Sequence, residues 1–191
     1  MKKDIELSNE LEIIYYLLGI ISSGCFGVQY LPQMMLNYRR KSCQGFSSSG
    51  IIIKLIGASF LFINAWLTGE TLPIVFYGLI NVLQHTIFLF QFSIYDSLAS
   101  RKYLPWIGFP IIPFLIGIQF PYTMFITNSF KPITQVLSHL PQVALCYQSK
   151  TTNGVSLPSQ YLNFIGGIAG VISKYYPIIY FFVITNILIF L

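Results

Sequence analysis

The chain contains two copies of one segment, and each copy places a proline and a glutamine inside a long apolar run. Leu31-Pro32-Gln33 and Leu140-Pro141-Gln142 lie 109 residues apart, and the segments 31–50 and 140–159 agree at 8 of 20 positions. Unrelated sequences of average composition would agree at about one or two such positions. The chain is therefore an internal duplication, which restricts it to folds built from two equivalent halves.

Composition places both halves in a lipid bilayer. The chain is 54% hydrophobic and 9% charged, whereas soluble domains carry about 25% charged residues. The net charge of +5 is explained by basic residues that flank membrane spans, so we expect no nucleic-acid partner. The three cysteines follow no metal-ligand spacing. We therefore predict no metal and no other cofactor, and no catalytic motif suggests an enzyme.

The apolar stretches predict an all-α membrane protein with seven transmembrane helices. A span needs about 20 residues, and the stretches run over 11–37, 49–68, 72–94, 104–120, 122–147, 157–174 and 177–191. The duplication groups them as two parallel three-helix repeats joined by a linker helix, a 3+1+3 arrangement. This gives a polar tail at 1–10, a first repeat at 11–94, a loop and linker helix at 95–121, and a second repeat at 122–191.

The basic residues predict the orientation. The loops after the first, third and fifth spans share one side and hold six of the eleven lysines and arginines, namely Arg39, Arg40, Lys41, Arg101, Lys102 and Lys150. Positive charge marks the cytosolic side. The N-terminus is then expected in the lumen and the C-terminus in the cytosol.

The duplicated Pro-Gln pairs are candidate hinges. A proline within a span removes one backbone hydrogen bond and frees a carbonyl group that another group must satisfy. Pro32 and Pro141 do this at matching places, and Gln33 and Gln142 can bond the freed backbone or a neighbouring helix. The two interpretations are a fixed bend in each repeat and a hinge about which each three-helix bundle rocks.

Polar residues at membrane depth are the candidate substrate ligands. Lys54 lies within an apolar run, and the 109-residue offset pairs it with Asn163. Lys54 either extends to the headgroups or faces a cavity, where it would bind a carboxylate or phosphate. The third span adds Asn81, Gln84 and His85, and the fifth adds Gln135, Ser138 and His139. These six side chains either bond neighbouring helices or line an aqueous path.

The first copy continues with Tyr38, two arginines and Lys41-Ser42, and the second copy ends in Lys150-Thr151 and Gly154. In this pattern the chain resembles the PQ-loop repeat family, with its cystinosin-like solute carriers and, more distantly, the SWEET and mannose-phosphate-dolichol utilisation proteins. The resemblance implies alternating access and hinge roles for the Pro-Gln pairs. Proton-coupled members carry an aspartate in the sixth helix, and the matching residue here is Asn163, which cannot titrate.

These features predict a transporter of a small solute, an amino acid or a cystine-like metabolite, in an endomembrane such as the lysosome, vacuole or endoplasmic reticulum. One alternative is a non-transporting helper in dolichol-linked sugar utilisation, and another is a ligand-sensing scaffold. The expected partners are the solute and the lipid bilayer. Seven helices can enclose a path within one chain, so a monomer is sufficient.

Overall fold

The computed structural model describes the backbone of residues 2–95 and 102–190, and the side chains of residues 13–95 and 102–173. Within these ranges the protein consists of helices and turns, without a strand. The helices are α1 Lys2–Val28, α2 Leu31–Arg40, α3 Ser48–Leu67, α4 Leu72–Tyr95, α5 Leu104–Ile107, α6 Ile111–Gln119, α7 Met124–Thr127, α8 Phe130–Leu137, α9 His139–Ser149 and α10 Leu157–Phe190, with a 3₁₀ turn at Pro121–Thr123.

Three stretches of the described chain are long and apolar enough to cross a membrane. They are Ile13–Arg40, Ser48–Leu67 and Leu72–Tyr95. A fourth is present if Ile111–Gln119 and Pro121–Ser149, which meet at a bend of 115°, count as one span. The predicted spans at 49–68 and 72–94 therefore correspond to α3 and α4 almost residue for residue.

The predicted span at 104–120 is not a single helix. It consists of α5 and α6, which are separated by the turn at 108–110. Pro110 and Pro113 supply no backbone N–H group, and Gly108 weakens helical continuity, so the stretch cannot maintain an unbroken hydrogen-bond ladder. With nine residues, α6 alone is too short to cross the hydrocarbon core.

The two predicted spans at 157–174 and 177–191 form one continuous helix, α10, of 34 residues. A reversal between helices takes a loop of two to five residues, commonly with a glycine after the first helix. The connection available here is Tyr175-Tyr176, which is short and lacks such a residue. The described structure thus has fewer separate helices of spanning length than the seven predicted.

The chain divides into two compact units, of which the first comprises residues 1–31 and 157–191. In this unit α1 packs antiparallel to α10 at positions with small side chains. Ser22 Oγ donates a hydrogen bond to the Gly166 carbonyl at 2.8 Å, and Ser173 Oγ donates to the Tyr15 carbonyl at 3.1 Å. A methyl group on Gly166 would lie 2.9 Å from Cys25 Cβ. The absent side chain is therefore what allows the two helices to approach this closely.

The second unit, residues 32–156, is built around α3. A methyl group on Gly57 would lie 1.8 Å from Thr134 Oγ1 of α8, and the rings of Phe60 and Phe130 are 4.7 Å apart. On the other side, a methyl group on Gly78 of α4 would lie 2.8 Å from Phe62 Cα. Helix α3 is thus in close contact with both α4 and α8, and these three helices form the core of the unit.

Helix α4 shows how the core is separated from the lipid. Its buried residues follow a helical period and include Gly78, Asn81, Val82, His85, Leu89 and Phe92. Its opposite face exposes large apolar side chains, including Ile80, Leu83, Ile87, Phe90 and Ile94. An exposed apolar face over a partly polar buried face is the arrangement expected of a helix that borders lipid and encloses polar groups.

Candidate functional site

Each Pro-Gln pair begins a new helix immediately after a break. Helix α1 ends at Val28 and α8 ends at Leu137, in each case four residues before the proline. A proline has no N–H group to bond the carbonyl four residues earlier, so the preceding helix ends there. Pro32 and Pro141 then lie in the first turn of the next helix, where an N–H group has no intrahelical partner anyway. The prolines therefore interrupt the helical hydrogen bonding at each site, within the stretches Ile13–Arg40 and Pro121–Ser149.

Gln33 binds the backbone of the second repeat's loop. Its side-chain Nε2 donates to the Gly154 carbonyl at 3.0 Å, and its Oε1 accepts from the Ser156 N–H at 2.6 Å. A primary amide carries a donor and an acceptor side by side, which matches the carbonyl and N–H groups of a Gly-x-Ser segment. Glutamate would present two acceptors and could not make the same pair of bonds.

Gln142 makes the equivalent bonds to the first repeat's loop. Its Nε2 donates to the Gly45 carbonyl at 3.0 Å, and its Oε1 accepts from the Ser47 N–H at 2.8 Å. The two backbone partners of Gln142 lie 109 residues before the corresponding backbone partners of Gln33. We call these reciprocal pairs the first latch (Gln33 with 154–156) and the second latch (Gln142 with 45–47).

The two loops touch between the latches. A methyl group on Gly154 would lie 2.2 Å from the Gly45 carbonyl carbon, and one on Gly45 would lie 2.9 Å from Gly154 Cα. Gly45 also has a φ of +81°, a backbone conformation that side chains disfavour. Glycine at both positions is therefore required for the backbones to meet. The latches and this contact together close the two loops against each other.

A cavity of about 590 Å³ lies beside this contact. Its wall consists of the loop at 42–49, Phe92 and Tyr103 on one side, and Pro141 and Gln148 on the other. The cavity therefore adjoins the loops that the latches hold, at the end of the unit that carries Arg39 and Arg40.

Three of the predicted substrate ligands lie together inside the second unit. Asn81, Gln84 and His85 are buried on α4. The Asn81 carbonyl lies 2.5 Å from His85 Nδ1, and Asn81 Nδ2 donates to the Tyr77 carbonyl at 2.8 Å. Lys54 lies on α3, three residues before Gly57, where α3 packs against α8.

The other predicted ligands are distributed more widely. On α8, the Gln135 carbonyl accepts a hydrogen bond from Ser138 Oγ at 2.8 Å, and the buried Ser138 occupies the break between α8 and α9. His139 begins α9 and is half-buried. Asn163 belongs to the first unit, where it lines a shallow and mainly apolar groove of about 430 Å³. Lys54 and Asn163, which the 109-residue offset pairs, therefore belong to different units.

Lys131 is a further polar residue of this cluster that was not predicted from the sequence. Its Nζ donates to Asn81 Oδ1 at 3.1 Å, so Lys131 reaches from α8 to the polar face of α4. The signal was present, because Lys131 lies within the predicted span 122–147, as Lys54 lies within its own span. Both lysines are ionisable groups within predicted spans, where such groups mark functional sites by default.

A second missed feature is the polar network behind Gln33. Gln33 Nε2 also lies 2.9 Å from Asn37 Oδ1, Asn37 Nδ2 donates to Gln91 Oε1 at 3.0 Å, and Gln91 Nε2 donates to the Met34 carbonyl at 2.9 Å. This network joins α2 to α4 and fixes the orientation of the Gln33 amide.

The spans, the duplication and the paired Pro-Gln sites define a multi-pass membrane protein built from two equivalent repeats. A family model described as "PQ loop repeat" matches residues 14–74 and 123–176. The chain belongs to the PQ-loop repeat family.

The chain is also similar to two proteins called cystinosin homologs. It is 25% identical to the one from Arabidopsis thaliana over 189 aligned positions, which cover 83% of this chain and 70% of that protein. It is 22% identical to the one from Dictyostelium discoideum over 195 positions, which cover 86% of this chain and 68% of that protein. The similarity therefore extends over most of this chain and most of each relative.

Proposed function

We propose that this protein is a carrier that moves a small solute across a membrane by alternating access, with the two latches closing one end of its path. The reciprocal binding of Gln33 and Gln142 to the opposite loops is the observation that supports this function. A fixed structural bend would need no such exchange of partners between repeats, because each glutamine could bond its own helix. A contact made of four hydrogen bonds can release as a unit and form again.

In this mechanism the helix breaks serve as hinges. The breaks at Gln29-Tyr30 and at Ser138 lack continuous helical hydrogen bonding, so a rotation there disrupts less backbone structure than a bend within a helix. Opening at the basic end separates the loops and releases Gln33 and Gln142. Closing restores all four bonds, and the pairs Pro32-Gln33 and Pro141-Gln142 act as the moving elements.

The proposed architecture has two parallel three-helix repeats around a linker helix, with a luminal N-terminus and a cytosolic C-terminus in an endomembrane. This arrangement requires α10 to reverse near Pro177. The length of α10, 34 residues, corresponds to about 51 Å and exceeds what a membrane crossing needs. Cysteines introduced on either side of Pro177 would report the topology: labelling from opposite faces of the membrane contradicts a reversal there.

The proposed solute is an amino acid or a cystine-like metabolite. The similarity to proteins called cystinosin homologs supports this class. Because Asn163 stands where proton-coupled relatives carry an aspartate, we propose that transport does not depend on a proton gradient. A monomer is sufficient for this path.

The test is uptake of labelled cystine and a panel of labelled amino acids into proteoliposomes, with and without an acid gradient. We expect saturable uptake that is independent of the gradient. The double variant Gln33→Leu/Gln142→Leu is expected to lose most of it, because the closed state no longer forms. Gln160→Leu, a change at an exposed glutamine of α10, is the matched control and should retain uptake.

Two outcomes contradict the proposal. Uptake that is equal in the double variant and the control would show that the latches have no role in transport. Absence of uptake of any solute, by protein shown to be folded, would favour the non-transporting helper or the sensing scaffold.

A further inference from the structure

The second unit contains two lysines that converge on one polar face at membrane depth. Lys131 Nζ donates to Asn81 Oδ1 at 3.1 Å. The backbones of α3 and α8 are close beside Lys54, because Gly57, one turn after Lys54, approaches α8 so tightly that a methyl group on it would lie 3.2 Å from Lys131 Cα. Residues three apart on a helix share a face. Lys54 and Lys131 are therefore neighbours across the α3–α8 contact.

Like charges in this position repel strongly. In a medium of low dielectric constant the interaction of two cations is many times larger than in water, and ionisable groups inside a membrane mark functional sites by default. Lys131 donates a hydrogen bond to the neutral amide of Asn81, which orients the ammonium group without neutralising it. An anion placed between the two lysines would remove the repulsion.

The surroundings are suited to such an anion. Asn81 and His85 are almost completely buried, with 1% and 0% of their surfaces exposed, whereas Lys54 and Lys131 are half-buried. The amide and imidazole thus form the buried part of this polar face, and Lys131 bonds the amide directly. Ammonium groups bind carboxylate and phosphate oxygens through short, charge-assisted hydrogen bonds.

We infer that Lys54 and Lys131 form an oxyanion-binding subsite, oriented by Asn81, which takes a carboxylate or phosphate group of the solute. The inference rests on the proposed carrier function and specifies which residues bind the oxyanion of its solute. It assigns to Lys131 a role in substrate binding equal to that of Lys54. Asn81 acts as a positioning residue through its bond to Lys131.

The test is calorimetric titration of the purified full-length protein with succinate and with inorganic phosphate, at constant ionic strength. We expect saturable binding of at least one of the two, and the preference between them identifies the oxyanion. Lys54→Met and Lys131→Met should each raise the Kd at least tenfold. Lys102→Met, which removes an exposed lysine, is the matched control and should leave the Kd unchanged.

Asn81→Asp separates charge from packing. The new carboxylate would pair with Lys131 and compete with the ligand, so binding should be lost while the thermal midpoint of unfolding is maintained or raised. Lys131→Gln keeps a donor for Asn81 without the charge, and it should weaken binding as Lys131→Met does even if the methionine variant fails to fold.

The outcomes distinguish this inference from the carrier function. Equal Kd values in wild type, Lys54→Met and Lys131→Gln, or no saturable binding of either anion, would overturn the subsite. Uptake of a solute without an oxyanion, unaffected by excess succinate or phosphate, would overturn the subsite and leave the carrier function intact. Lysine-dependent anion binding without uptake of any solute would support the subsite and contradict the carrier.

Discussion

The two latches have the same backbone contacts but different surroundings. Gln33 is 2% exposed and continues into the network of Asn37 and Gln91, whereas Gln142 is half-buried and its Nε2 lies 3.3 Å from Cys146 Sγ. Arg40 adds a further hydrogen bond from the first repeat to the Asn153 carbonyl. The duplication has thus preserved the amide-to-backbone pairing in both copies, while the groups that hold each amide have diverged. We expect the first latch to contribute more stability and the second to be the more easily opened.

The largest expected effect comes from adding a methyl group between the loops. Gly154→Ala would place a carbon 2.2 Å from the Gly45 carbonyl carbon, and neither backbone can move without breaking a latch. We expect a loss of about 3 kcal/mol in the free energy of unfolding, at the upper end for overpacking. Titration with SDS in mixed micelles would measure it.

A control at another glycine separates the cost of steric crowding from the cost of the backbone conformation. Gly69 has a φ of +68° but open space around it, so Gly69→Ala should cost only about 1 kcal/mol, the conformational penalty alone. Equal losses at Gly154 and Gly69 would contradict the close contact between the loops.

Removal of each glutamine tests the difference between the latches. Gln33→Leu leaves two buried backbone groups and Asn37 without their partner, and should cost about 2–3 kcal/mol of unfolding free energy. Gln142→Leu should cost about 1–2 kcal/mol, because water can reach the half-buried site. The same SDS titration compares them, and a larger loss at Gln142 would reverse the proposed order.

Asn37 and Cys146 lie one turn after Gln33 and Gln142. Replacing Asn37 should cost more unfolding free energy than replacing Cys146. Asn37→Ala removes an acceptor from Gln33 and a donor to Gln91, and we expect a loss of about 1–1.5 kcal/mol. Cys146→Ala removes only a weak sulfur contact and should change the unfolding free energy by less than about 0.5 kcal/mol. If the two changes are equivalent, the network behind Gln33 does not support the first latch.

The smallest effects concern the residues that directly follow α2 and α9, the helices that carry Gln33 and Gln142. Lys41 and Lys150 both have a φ of 50°, in the left-handed region that favours glycine. Lys150→Gly should therefore stabilise the protein by about 0.5–1 kcal/mol. Lys41→Gly should gain less, because Lys41 Nζ lies 3.8 Å from the centre of the Tyr38 ring and that cation–π contact is lost. Thermal midpoints in detergent would show the order, which a larger gain at Lys41 would contradict.

Much of this organisation could be predicted from the sequence, because it depends on local chemistry. The spans of α3 and α4 follow from apolar length, and the helix breaks follow from Pro32 and Pro141. The offset of 109 residues identified Gly45 with Gly154 and Ser47 with Ser156. The PQ-loop resemblance was confirmed by the family match.

The partners of these residues could not be predicted, because they depend on how distant segments pack. The repeated Gly-x-Ser segments look like ordinary helix-capping loops, and only the fold shows that each binds the other repeat's glutamine. Lys131 was not selected as a ligand, although it lies within the predicted span 122–147. The composition of 104–120 indicated a span, but the three prolines in this stretch interrupt its helical hydrogen bonding. The hinge roles and the individual substrate ligands remain predictions.

The central claim is that the two latches form one reciprocal contact, and a double-mutant cycle of Gln33→Leu and Gln142→Leu tests it most directly. Breaking either latch should let the same two loops separate, so the second change should cost less in the variant that already has the first. We predict that the free-energy losses in SDS titration fall short of additivity by at least about 1 kcal/mol. Strict additivity would mean that the glutamines act independently, and would contradict the account.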